Sequence, residues 1–431
     1  MRRAAAAIIF AGLALASPSL ANLQDQTPLD RLRTARACLA GHDLQGARNA
    51  FEEVDRELGG HAGSMSALAS IATRQADDRA ALLWLDRLAS TGLSRPVAKD
   101  SSFRRLRANA QFQSIAKRLQ ANGEPIANAT VAFRLSDAEL LAEDIVWDAP
   151  RKRFLISSVH QGKIIALSEA GAATDFVPAG ALDSWSMYGL AIDAKHNRLW
   201  ATTAAGPEYS GYAAADSGRS ALLAYDLKSG KPLARYELTR DGKRHVLGDI
   251  AVGADGTVYV TDSIGGGLYR LAWSKTATLD TLVAPRTFGS PQMPALTADG
   301  RGLFVADYPQ GIYVVDLAHH GAGRWIAKPH SLAATGLDGL YVYENRLIGI
   351  QNGTNPHRVL EMQLAPDSAQ IVDWHVLEQA TPDLGEPNHG VVVGRDFYFI
   401  GNSGWDRVGD DGTFKTAAAD KAPVLLKLRL D

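Results

Sequence analysis

From Leu29 to about Asn122, apolar residues recur three and four apart in LDRLRTARACLA, DLQGARNAFEEVDREL, MSALASIATRQ, DDRAALLWLDRLAST and AQFQSIAKRLQAN. That period predicts five amphipathic helices, each with one face turned to a core. Gly41-His42-Asp43, Gly59-Gly60-His61 and the stretch Gly92 to Pro96 supply the breaks expected at helix ends. After Pro125 the pattern changes to short runs of Val, Ile, Phe and Tyr separated by Asp-Gly, Gly-Gly and Asn-rich turns. These are strand and hairpin signals. The join lies at Asn122–Asn128, where Gly, Pro and Asn interrupt both periods and two units are expected to separate.

The strand-rich part repeats one sentence, an apolar triplet, a turn, a second strand and often a third. It reads EDIVWDAPRKRFLISSVHQGKIIAL, YGLAIDAKHNRLWATT, GDIAVGADGTVYVTDSIGGGLYRL, PALTADGRGLFVADYPQGIYVVDL, DGLYVYENRLIGIQN and HGVVVGRDFYFIGNS. Taking Glu143, Tyr188, Gly248, Gln292, Asp338 and His389 as equivalent starts, the spacings are 45, 60, 44, 46 and 51 residues. Repeats of roughly 40 to 50 residues with several strands each are propeller blades. The fold expected is mainly β, a six-bladed β-propeller over 126–431 behind a small helical domain over 22–125. The last strand, PVLLKLRL, is expected to join TVAFRL near Thr130 and close the ring. A seven-bladed ring is the alternative, with the extra sheet inside the 60-residue spacing.

The helical hairpins resemble tetratricopeptide-type repeats, whose period is roughly 34 residues. The resemblance is carried by ALLWLDRLASTGLSRPVAKDSSFRRLRANAQFQSIAKRL, with Phe103, Leu106 and Phe112. It implies a groove for a protein partner; a bundle that props the neighbouring domain is the equal alternative.

Met1–Ala21 reads as a cleavable signal peptide: Arg2 and Arg3, an apolar run from Ala4 to Ala16, then Ser19-Leu20-Ala21. A periplasmic or secreted protein is expected. The run is shorter than the roughly 20 residues of a spanning helix, and no later stretch is a candidate span. Formal charge is −2, with 45 basic and 47 acidic residues and no basic block, so nucleic acid is not an expected partner. The single cysteine, Cys38, rules out an internal disulfide and is expected to be a buried, inert thiol.

The blades resemble the gluconolactonase, regucalcin and luciferin-regenerating-enzyme superfamily, and more loosely NHL-repeat propellers, over roughly Ala142 to Leu430. EDIVWD is similar to that family's Glu-x-Pro-Val-Trp opening without the proline; GDIAVGADGTVYVTDS and LDGLYVY carry the rest. The resemblance implies a divalent metal, Ca²⁺, Mg²⁺ or Mn²⁺, held by a first-blade Glu, a middle-blade Asn and a later Asp. Glu143 and Asp338 match the carboxylates, which are hard oxygen ligands. Gly248 stands where the middle Asn belongs, so Asp249, Gln292 or Asn388 would have to substitute.

His389 is the candidate general base, since neutral imidazole accepts a proton near pH 7. Tyr188, Trp185 and Asn388 are candidate contacts to a small ligand in the channel. Asp406, Asp410 and Asp411 lack EF-hand spacing and read as a solvated loop. With no G-x-S-x-G, H-E-x-x-H or Walker motif, serine-hydrolase, zincin and nucleotide-hydrolase readings lose support, and no nucleotide or organic cofactor is expected. Two functions compete: a metal-dependent hydrolase of a small lactone or ester, and a noncatalytic scaffold that binds a ligand or protein. A propeller oxidoreductase is weaker, for want of a cofactor fingerprint.

Overall fold

The computed structural model describes residue 23 and residues 26–431, apart from 275, 320, 369 and 417–420. The expected signal peptide, Met1–Ala21, lies outside the described residues. The five helices are α1 (Pro28–Ala40), α2 (Leu44–Leu58), α3 (Ala62–Arg74), α4 (Asp78–Ala89) and α5 (Ala110–Ala121). Each begins at a side chain that takes up an orphaned backbone N–H: Thr27, Asp43, His61, Asp77 and Asn109 in turn. Their inward faces share one core that includes Phe51, Leu68, Leu85, Phe103, Leu106 and Phe112. Cys38 packs at the edge of that core and is partly exposed rather than buried. Burial, and then Asp43 beside it, push its thiol pKa up, which keeps it a poor nucleophile.

Among the described residues, twenty-four strands form six four-stranded antiparallel sheets, one per blade. The inner strands are β2 (Ala142–Asp148), β6 (Ser186–Asp193), β10 (Leu247–Val252), β14 (Pro291–Leu296), β18 (Leu337–Tyr343) and β22 (Gly390–Val393). Ile145, Leu190, Ile250 and Leu340 on them are buried because neighbouring blades cover both faces. Successive apolar clusters bridge adjacent blades, as where Leu155 and Ile164 meet Met187, Leu190 and Leu199. The 60-residue spacing holds no seventh sheet: long loops before and after β8 (Ser220–Asp226) and β9 (Pro232–Glu237) fill it. The ring closes as expected. β1 (Thr130–Arg134) pairs with β24 (Val424–Arg429), Thr130 opposite Lys427 and Arg134 opposite Val424, so the sixth blade takes strands from both ends of the propeller.

One device recurs at the channel mouth. A residue at or next to the end of the second strand of each of blades 1–5 (Ser158, Thr203, Asp262, Asp307, Gln351) is fully buried and bonds the loop leading into its inner strand. Asp307 Oδ1 accepts from Gly289 N at 2.9 Å and Ser290 N at 2.8 Å; Gln351 Nε2 donates to Ala333 O at 2.7 Å and Thr335 O at 2.6 Å. These bonds fix where each inner strand starts, and so where its first side chains project.

The helical unit docks on blades 4 and 5. Arg358 is fully buried, donates to Gln351 Oε1 at 2.7 Å and to Thr91 O at 3.1 Å, and lies 5.5 Å from the Trp374 ring. Burial without a carboxylate partner pulls its pKa down to about 9. His61 Nδ1 caps α3 by accepting from Ser64 N at 2.9 Å, while Nε2 donates to Pro309 O at 3.0 Å. Gly60, at φ 66°, lets blade 5 approach: a Cβ there would lie 2.5 Å from His330 O. The join at Asn122–Asn128, expected as a place of separation, is pinned to the strand Ile371–Gln379. Gln379 Nε2 donates to Glu124 O at 2.7 Å, and Asn128 N and Ala129 N donate to Glu378 Oε2 at 2.7 and 2.8 Å. Among the described residues, no helix is long and apolar enough to cross a membrane.

Candidate functional site at the channel mouth

A β-bulge in each of the first five inner strands sets two residues against one on the neighbouring strand. The first of the two is Glu143, Tyr188, Gly248, Gln292 or Asp338, and the second is Asp144, Gly189, Asp249, Met293 or Gly339. The pairing of Gly390 with Phe399 fits blade 6 to this scheme with Asn388 in the first place and His389 in the second. The expected alignment is therefore corrected by one residue in that blade. The short strand β22 gives no apolar pattern upstream of Gly390 to fix the register from sequence.

Glu143 and Asp338, from blades 1 and 5, line one pocket of about 340 Å³ together with Glu386, Asn352, Tyr308, Trp405 and Val408. Glu143 Oε2 accepts from Trp405 Nε1 at 2.5 Å and from Asn388 Nδ2 at 3.1 Å. Asp338 Oδ2 accepts from Asn352 Nδ2 at 2.6 Å, and Asn352 Oδ1 accepts from the Tyr308 hydroxyl at 2.9 Å. Burial raises the Glu143 pKa to about 8; His389 and the Trp405 bond pull it down, Asp338 and Asp249 push it up. Asp338 is likewise raised, by burial first and by Asp249, against the pull of His389 and Asn352. Two carboxylates facing one pocket thus resist ionising together.

Beneath them lies a buried charged layer. His389 Nδ1 donates to Glu143 O at 2.9 Å, and Nε2 stands 3.2 Å from Asp249 Oδ1, an ion-pair contact whose angles fall short of a hydrogen bond. Burial disfavours the imidazolium, but Asp249, Asp144 and Asp338 outweigh it and hold the His389 pKa well above its usual value. Asp144 accepts from Ile145 N at 2.7 Å and Leu190 N at 2.6 Å; burial raises its pKa to about 7 against the pull of His389. His389 does not line the pocket, and both its nitrogens face acceptors of this layer.

The remaining expected residues divide. Asn388 reaches the site, but its amide is engaged by Glu143 and by Ala142 O at 2.9 Å. Tyr188 donates its hydroxyl to Glu208 and packs in the apolar cluster behind Trp405 and Val408. Trp185 stands away from the pocket, its ring 4.7 and 4.8 Å from the guanidiniums of Arg219 and Arg235. Gln292 turns to Ser290, donating to Oγ at 2.9 Å, and Asp249 pairs with His389. Neither joins Glu143 and Asp338. At Gly248 a Cβ would lie 2.4 Å from Ser263 Oγ, a hydroxyl that would have to turn aside for the implied asparagine. Among the described residues, no three His, Cys, Asp or Glu side chains form a ready metal cage.

Tyr308 and Glu386 were not singled out from the sequence as site residues, and Asn352, in the cluster QNGTNPHRV, reads from sequence first as a turn former. A signal existed for two of them. Tyr308 and Asn352 each follow the residue that ends the second strand of their blade, a position equivalent to Val159, Ala204 and Ser263, so it forms a further ring around the mouth.

Comparison with solved structures gives matches of low identity over most of the chain. A gluconolactonase from Xanthomonas campestris is 17% identical with a TM-score of 0.48, covering 72% of this chain and 93% of that one. A luciferin-regenerating enzyme is 11% identical at 0.47, covering 72% and 96%. Regucalcin from Agrobacterium tumefaciens, a calcium-binding protein, is 15% identical at 0.46, covering 69% and 93%. No protein-family model matches the sequence, and a search of curated proteins gives no match.

Proposed function

We propose that the channel mouth is a hydrolytic site for a small lactone or ester, with Glu143 and Asp338 sharing a divalent cation. The observation that carries this is their meeting in one pocket from blades 1 and 5, both with raised pKa values. Two carboxylates suit a hard ion that keeps water and substrate oxygens as its other ligands, as Mg²⁺ commonly does. When bound, such an ion polarises the ligand carbonyl and makes water more acidic.

The protein's own groups supply orientation. Trp405 and Asn388 fix the Glu143 carboxyl; Tyr308, through Asn352, fixes that of Asp338. In the hydrolysis, water adds to the carbonyl carbon, the ring C–O bond breaks, and the departing oxygen takes a proton to leave a hydroxy acid. With a pKa of about 8, Glu143 holds a proton at neutral pH when no cation is bound and gives it up when one binds, so cation binding is expected to release a proton. His389, buried below, supports Glu143 instead of acting as the base.

A second reading, a noncatalytic binding scaffold, is favoured by the glycine at 248 in place of the implied asparagine and by Gln292 and Asp249 turning elsewhere. A panel of lactones and esters assayed with and without chelator separates the two. Turnover that needs the cation and falls at least about 100-fold in Asp338→Asn supports the enzyme; no turnover across the panel, with ligand still bound, supports the scaffold. The signal read at Met1–Ala21 makes the periplasm or the exterior the proposed place of action, and an exported mass beginning at Asn22 checks it.

A further inference from the structure

The pocket holds three carboxylates, Glu143, Asp338 and Glu386, and its other lining side chains are uncharged. The basic side chains around the pocket make their hydrogen bonds to other groups. Arg407 donates to Ala138 O at 2.7 Å and lies over the Phe414 ring, 4.4 Å from its centroid. His389 is committed to the buried layer below, and His357 Nδ1 donates to Gly385 O at 2.5 Å; burial, then Asp406 and Asp338, raise the Glu386 pKa against the pull of His357, which favours its ionised form. Even with a divalent ion on Glu143 and Asp338, the formal balance of the pocket is negative. Glu386 supplies the excess. It sits in the loop before β22, its backbone carbonyl held by Ser403 N at 3.1 Å and Ser403 Oγ at 2.9 Å, so its position is fixed independently of the other two carboxylates.

We infer that Glu386 is a specificity residue that admits uncharged or cationic ligands, turns away anions, and expels an anionic product. This rests on the reading that a small ligand enters this pocket, and it deepens that reading. Hydrolysis of a neutral lactone creates a carboxylate beside Glu386, the carboxylate left without a counter-charge once a cation sits on Glu143 and Asp338. Phosphorylated sugars and lactones bearing an acid group meet the same repulsion on entry.

Charge-selective quenching of Trp405 tests the electrostatics without reference to any substrate. The Trp405 signal is taken as the difference between wild type and Trp405→Phe, at constant ionic strength. Iodide is expected to quench it at least about fivefold less than neutral acrylamide, with caesium unhindered, and Glu386→Gln is expected to raise iodide quenching about threefold or more. Equal quenching by iodide and acrylamide in wild type, or no response to Glu386→Gln, overturns the inference. A second arm uses calorimetry with a neutral sugar lactone, its 6-phosphate and its 6-amino analogue, which also carries the test should Trp405→Phe fail to fold. A preference of about tenfold or more against the phosphate, relaxed in Glu386→Gln, supports the inference. Equal affinity for all three overturns it while leaving the lactone reading intact. Iodide exclusion with no lactone bound overturns the lactone reading and leaves the charge preference standing.

Discussion

Glu143 shows how far one residue's chemistry follows from its surroundings. Its raised pKa means that the folded protein holds a proton that the unfolded chain releases at about pH 4.5. The stability this group contributes is therefore fully present below that pH and is lost as pH rises toward about 8. Chelator-treated wild type is expected to lose on the order of 2–5 °C of Tm between pH 5 and pH 8 from this source, and Glu143→Gln to flatten the slope. Added cation is expected to restore the loss in wild type and to do little in the variant; thermal melts across pH check both. The carboxylates were legible in the sequence because each begins an apolar inner strand. Glu386 was not, because it sits in a loop whose partners come from blades 5 and 6 and are distant along the chain. The role given to His389 was displaced by a single-residue register difference, which in a strand exchanges one set of neighbours for another.

At the scale of elements, the helices and blades were legible because their periods differ, whereas their contact was not, because it rests on isolated polar residues. Arg358 lies within the strand Arg358–Leu364, and nothing in RVLEMQL announces that its guanidinium meets the carbonyl of Thr91. Arg358→Ala is expected to cost about 2–4 kcal/mol, through loss of charge-assisted bonds and an opened space, and to expose 122–128 to protease. Limited proteolysis of variant and wild type side by side checks this: wild type should resist cleavage there. His61 adds a pH dependence of opposite sign to that of Glu143. Burial lowers its pKa, partly offset by its bond to Pro309 O, so its contribution is present above about pH 6.5 and is lost as pH falls, by roughly 1.4 kcal/mol per pH unit at most. His61→Asn, which keeps a capping oxygen for α3, is expected to remove that acid sensitivity in denaturant titrations at pH 5 and pH 7.

At the scale of the molecule, closure of the ring is what makes a site from residues far apart in sequence. β1 and β24 complete the sixth blade, which carries Asn388 and, in the loop after its second strand, Trp405. Removing Val424–Asp431 is expected to abolish the cooperative melt of the propeller rather than trim it, because it strips the sixth blade of its third strand and leaves β1 without a partner. The central claim is that Glu143 and Asp338, joined by this closure, form one cation site. Calorimetric titration of Mn²⁺ into chelator-stripped protein tests it most directly. One ion per chain in wild type, with affinity reduced at least about tenfold in Asp338→Asn and in Glu143→Gln, is the predicted result. No binding to wild type, or binding that both substitutions leave unchanged, would contradict it.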